Sequence, residues 1–157
     1  EGGKVDPNNY TIERYYSMEK IPEEYREYVE EIGEIKGNLA YTLGYVKVTK
    51  NEFNDTLYVY MNNVGDKLRF EIRIYPEEIQ RVRETYPGYT FESEFEDEGI
   101  SFDVFSKEES SGEYTYIMYF YYGKEKYIVI GRNDEDRIQD IVIAYKNVVL
   151  SHEGNQQ

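Results

Sequence analysis

Two spacings of apolar residues divide the chain. Ile21-Pro22-Glu23-Glu24 reads as a helix start, because proline suits a first turn and early carboxylates favour the positive end of the helix dipole. Tyr25, Tyr28, Val29 and Ile32 then share one helical face, and Gly33 is the expected stop. From about Leu39 the period falls towards two. Residues 43–49, 56–62 and 67–75 read as three strands separated by turns at 51–55 and 62–66. Short turns make them antiparallel neighbours. In the third, Leu68, Phe70, Ile72 and Ile74 face a core while Arg69, Glu71 and Arg73 face the other way.

Pro76-Glu77-Glu78 predicts a second helix with Ile79, Val82 and Tyr86 on one face, ended by Pro87-Gly88. Residues 89–95 and 100–105 alternate around Glu96-Asp97-Glu98-Gly99 and predict a hairpin whose Glu92, Glu94 and Asp103 point outward. After a loop at Ser110-Ser111-Gly112, residues 114–122 and 126–130 predict another hairpin across Gly123-Lys124-Glu125. Residues 133–136 cap a third helix with the stripe Ile138, Ile141, Val142, Tyr145, Val148 and Val149. The sum is an α+β fold: an antiparallel sheet of about seven strands with three helices packed on it. Residues 1–12 read as a flexible tether, 13–150 as one domain and 151–157 as a polar tail.

Composition agrees with a folded chain. Its 157 residues fall within one domain's usual span, and 19 Tyr with 7 Phe argue against an acidic disordered segment although 32% of residues are charged. The net charge of −14 repels phosphate backbones, which argues against nucleic acid as a partner. No run approaches the roughly 20 apolar residues of a membrane span, so no membrane insertion is expected. With no cysteine there are no disulfides and no thiolate sites, and the compartment leans slightly outward. A start at Glu1-Gly2-Gly3-Lys4 without Met suits a chain from which a leader or lipid anchor has been trimmed.

The tyrosine-rich hairpin at 114–130, with Tyr122-Gly123-Lys124 at its turn and an amphipathic helix directly after it, resembles the end of the Mog1/PsbP-like sandwich shared by the photosystem extrinsic proteins. It also looks like domains of unknown function in lipoproteins of low-GC Gram-positive bacteria. The resemblance covers about the last 45 residues. It implies a sandwich fold and an extracytoplasmic setting, and transfers no functional residue.

Candidate chemistry is sparse. The single histidine, His152, stands beside Ser151 in the polar tail, where nothing would hold a nucleophile, an orienting acid and an oxyanion hole together. A glycosidase needs two carboxylates at a set separation, and Glu92, Glu94 and Asp103 form the best local cluster, although the polar face of a hairpin explains them too. Calcium could use the oxygens of 51–55, 62–66 or 133–136, but none matches an EF-hand loop, and turn or cap roles explain each. Neither a metal site nor a cofactor is expected. Asn9-Tyr10-Thr11 and Asn54-Asp55-Thr56 fit the glycosylation pattern, a pattern too short to carry weight.

Tyrosine is the most unusual feature. Either tyrosines replace Leu and Phe at half-buried sheet positions, or they form a platform in which Tyr58 and Tyr60 join Tyr119 and Tyr121 on an exposed sheet face. The functional expectation is a non-enzymatic extracytoplasmic binding domain, of a bacterial lipoprotein or surface protein, with a protein or glycan partner. The alternatives are a small carboxylate-dependent hydrolase and an intracellular acidic inhibitor or nucleic-acid mimic.

Overall fold

The computed structural model describes residues 10–36, 42–63, 66–77 and 81–155. The expected tether over 1–9 and residues 37–41, 64–65, 78–80 and 156–157 lie outside the described residues. Eight antiparallel strands form one sheet: β1 (Thr11–Tyr15), β2 (Thr42–Lys50), β3 (Asp55–Asn63), β4 (Asp66–Ile74), β5 (Thr90–Asp97), β6 (Ile100–Glu108), β7 (Tyr114–Tyr122) and β8 (Glu125–Arg132). Two helices, α1 (Glu23–Lys36) and α2 (Glu135–Asn155), complete the α+β fold.

The strand order is β1-β2-β3-β4-β8-β7-β6-β5. Two four-stranded halves therefore meet where β4 pairs with β8; their strands follow one another through short turns except for β1 and β2, which α1 separates in the chain. The turn chemistry accounts for the hairpins. Glu98 and Gly99 both take positive φ between β5 and β6, the two-residue turn that matches strand twist. The Asn51 side chain accepts from the backbone N–H groups of Phe53 and Asn54 between β2 and β3.

The main core lies on one face of the sheet, under both helices. Tyr25, Val29 and Ile32 of α1 and Ile138, Val142, Tyr145 and Val149 of α2 pack over Val59, Phe70, Phe120 and Val129. Burial of these side chains, each worth about 1.5–3 kcal/mol, holds the helices down. At Gly131 of β8 the approach is closest: a Cβ there would run into the side chains of Ile138 and Leu68.

Three sequence expectations are corrected. Among the described residues the sheet has eight strands, the added one being β1, which begins inside the expected tether; it pairs with β2 from Thr11↔Lys50 to Tyr15↔Val46. There are two α-helices among the described residues, because residues 81–86 are not helical. They run as a strap across the second face of the sheet, where tertiary contacts outweigh the local helix signal. Finally, α2 continues to Asn155, so Ser151 and His152 are helical residues.

Candidate functional site

Pairing across four strands fixes the face of every tyrosine in the expected platform. Tyr58 opposes Glu71, Glu71 opposes Ile128, and Ile128 opposes Tyr119. Cross-strand partners point to the same side, so Tyr58, Tyr60, Tyr119 and Tyr121 share the face away from the helices. They do not form one exposed surface, however, because β4 and β8 lie between the pairs and the strap covers the β7 side. Tyr119 is only 2% exposed, in a second cluster with Phe105, Ile117 and Ile128 that Tyr86 of the strap and Tyr89 just after it close.

The strap is held by polar groups on an aromatic bed. The Tyr119 hydroxyl donates to Asp103 Oδ2 at 2.7 Å and accepts from the Glu84 backbone N–H at 3.2 Å. The Tyr121 hydroxyl donates to the Val82 carbonyl at 3.2 Å. Glu84 Oε2 sits 3.0 Å from Arg73 and 2.7 Å from Lys126. Lys126 Nζ also donates to the Tyr86 hydroxyl at 2.9 Å and lies 3.9 Å from the centre of the Tyr119 ring. Burial lowers the Lys126 ammonium to about 8, outweighing the attraction of Glu84. Burial works against the Glu84 carboxylate, yet the hydrogen bond and charge of Lys126 hold it below its ordinary value.

The carboxylate cluster is rearranged by the same strap. Asp103 is buried rather than outward, and Arg83 joins it at 3.3 Å to Glu94 at 3.0 Å, so both carboxylates are ion-paired. A β-bulge between Phe91 and Ser93 turns Glu92 away from both, to accept from the Ser106 hydroxyl. The cleft beside them has a volume of about 330 Å³ and is lined by Arg81, Val82, Arg83, Glu94, Asp103, Tyr119 and Tyr121 among others.

On β1 to β4 the same face is different in character. Tyr45 and Tyr60 stack with ring centroids 4.4 Å apart, and Tyr16 adds a tilted contact at 5.8 Å. Lys47 Nζ lies 4.3 Å from the centre of the Tyr58 ring, and the Arg69 guanidinium 5.9 Å from it. Arg14 opposes Lys47, which opposes Tyr58, so the row is cationic and aromatic by register. Tyr10, Ile12 and Tyr16, at alternate positions with Arg14, are all exposed, Tyr16 at 68%. Glu71 is the acid of this row, buried and paired with Arg69 at 2.7 Å and Arg73 at 3.6 Å.

A third place, on the helix side, was not anticipated. Glu31 of α1 is only 4% exposed, and its Oε1 has no hydrogen-bond partner. Burial pushes its carboxyl up to about 7. It lines a pocket of about 420 Å³ with Glu27, Tyr28, Tyr122, Glu125, Tyr127 and His152. His152, expected in a polar tail, is fixed there because Val149 anchors that turn of α2 in the core and the imidazole contacts Glu34 of α1. The sequence signal was available: Glu31 stands three residues after Tyr28 and four before Ile35, beside the apolar stripe.

Comparison of the chain with protein families, with characterised proteins and with solved structures finds no match. Among the described residues, no helix is long and apolar enough to cross a membrane, and no three His, Asp or Glu side chains converge as a metal ion requires.

Proposed function

We propose that this chain is a non-catalytic, extracytoplasmic interaction domain, part of a bacterial lipoprotein or surface protein, that docks an acidic protein segment on the β1–β4 half of its second sheet face. The observation that carries this reading is the clustering of exposed Arg14 and half-buried Lys47 and Arg69 with half-buried Tyr45, Tyr58 and Tyr60 on one sheet face of a chain whose net charge is −14. Tyrosine and arginine are the side chains that most often anchor protein interfaces, and opposed charge sets partner choice and encounter rate. A glycan fits less well, since a sugar stacks on a free ring face. Tyr45 and Tyr60 spend theirs on each other, and Lys47 lies over Tyr58.

The best-placed carboxylates, Glu94 and Asp103, are engaged by Arg83, which supports binding over hydrolysis. The extracytoplasmic setting rests on the resemblance of the 114–130 hairpin and its helix to extracytoplasmic domains and on the absence of cysteine. Selection from a random peptide display library on the intact protein tests the docking. Enriched peptides should be rich in Asp and Glu, and Lys47→Glu should weaken their binding about tenfold or more while leaving the thermal midpoint unchanged. Peptides without acidic residues, or equal binding by Lys47→Glu, would sink the reading.

A further inference from the structure

The pocket between α1, α2 and the β7–β8 turn lies on the opposite side of the sheet from the proposed docking face. Its chemistry is also the reverse. Glu27 and Glu31, one helical turn apart on α1, and Glu125 at the start of β8 bring three carboxylates to its lining. Glu34 stands nearby, and the imidazole of His152, the base that lines the pocket, is engaged by it. The Tyr28 hydroxyl donates to Glu125 Oε1 at 3.0 Å, which fixes one wall.

Glu31 is the informative member. It is nearly sealed from water, and one carboxylate oxygen has no hydrogen-bond partner. Buried polar atoms left without a partner are rare, and a carboxylate so placed calls for a proton or a cation. Burial has raised this group towards neutrality, with Glu27, Glu34, Glu125 and His152 as the charged groups around it, so a cation would compete with a proton there.

The walls decide which cation. The donors do not converge as a metal ion requires among the described residues. Tyr28, Tyr122 and Tyr127 stand among the lining residues instead, and aromatic rings attract organic cations. The volume of about 420 Å³ lies within the range of pockets that hold small ligands and exceeds what a bare ion needs.

We propose that this pocket binds an organic ammonium group, with Glu31 as its buried counter-ion and Tyr28, Tyr122 and Tyr127 as its walls. The ammonium forms an ion pair with the Glu31 carboxylate, donating to Oε1 where it carries an N–H, and an attached alkyl chain lies along the tyrosines towards the mouth. Glu27 and Glu125 add attraction at the rim.

Calorimetric titration of the intact protein at pH 8 with putrescine and with choline, and in parallel with calcium, tests it. At least one of the two ammonium compounds should bind saturably. Glu31→Gln and Tyr122→Ala should each weaken that binding about tenfold or more, while Lys47→Glu on the other face leaves it unchanged. Thermal unfolding of each variant separates lost binding from lost fold, and Glu31→Gln, which keeps the shape and removes only the charge, should stay folded. Absence of saturable binding by either compound up to about 10 mM, equal binding by a folded Glu31→Gln, or calcium binding more tightly than both would overturn the proposal.

Discussion

Lys126 Nζ lies 2.7 Å from Glu84 Oε2 with its side chain wholly buried, pinned between the strap and the rings of Tyr86, Tyr119 and Tyr121. This pair explains why residues 81–86 abandon the helix their sequence suggests. A helix there would draw Glu84 away from Lys126 and Arg73, leaving a buried ammonium without its anion. The strap in turn decides which part of the second face remains available for docking.

Removing both members of the pair should cost less than the sum of the two single removals. Lys126→Met is expected to destabilise by about 3 kcal/mol and Glu84→Gln by a similar amount. The double variant should recover at least about 1 kcal/mol of the sum, because neither charge is then left alone. Denaturant unfolding of the four proteins measures the coupling, and strict additivity would show that the pair does not anchor the strap.

The Tyr119 hydroxyl joins the sheet to the strap through Asp103 and the Glu84 backbone. Tyr119→Phe should therefore cost about 1–3 kcal/mol, since it leaves a buried carboxylate and a backbone N–H short of a partner. Proteolysis at Arg81 or Arg83 should become faster in this variant. An unchanged cleavage rate would separate the hydroxyl from the strap's hold.

Stability should fall as pH rises from 5 to 8. Glu31 is held at about 7 in the fold against an ordinary 4.5, so between those values the folded state keeps a proton that the unfolded chain has lost. The Glu34 hydrogen bond raises His152 above its usual value, and stability from that pair is likewise present at low pH and lost as pH climbs through the raised value. Glu31→Gln should flatten the profile and raise stability at pH 8 by about 1–2 kcal/mol, after allowance for solvent at the pocket mouth. A thermal midpoint that rises from pH 5 to 8 would contradict this assignment.

Gly131 should tolerate no side chain. Gly131→Ala places a methyl against Ile138 and Leu68 and is expected to cost about 1–3 kcal/mol by forcing α2 off β8. Gly33→Ala, with open space around it inside α1, which runs on to Lys36 instead of stopping at this glycine, should stabilise by about 0.5–1 kcal/mol. Thermal unfolding of the two variants compares them directly.

The elements were legible where period and turn chemistry agreed. Alternation in 67–75, and the glycines at 99 and 123, located strands and hairpins to within a few residues. The strap was not legible, because Pro76-Glu77-Glu78 is a sound helix start and the forces that override it come from Lys126 and Tyr119, some forty residues further along the chain. Alternation put Tyr58 with Tyr60 and Tyr119 with Tyr121, but strand order separates the two pairs, and order is set by the β4–β8 join that no local pattern encodes. Glu31 was missed for a related reason. An acid beside an apolar stripe looks solvated until a second helix, α2, closes over it.

The most direct test of the docking surface is an NMR titration of the isotope-labelled protein with an acidic peptide selected on it. Amide shifts centred on Arg14, Tyr45, Lys47, Tyr58 and Arg69, with α1 and α2 silent, are the predicted result. Shifts centred instead on the helices, on the strap or on the cleft beside Arg83 would contradict the account.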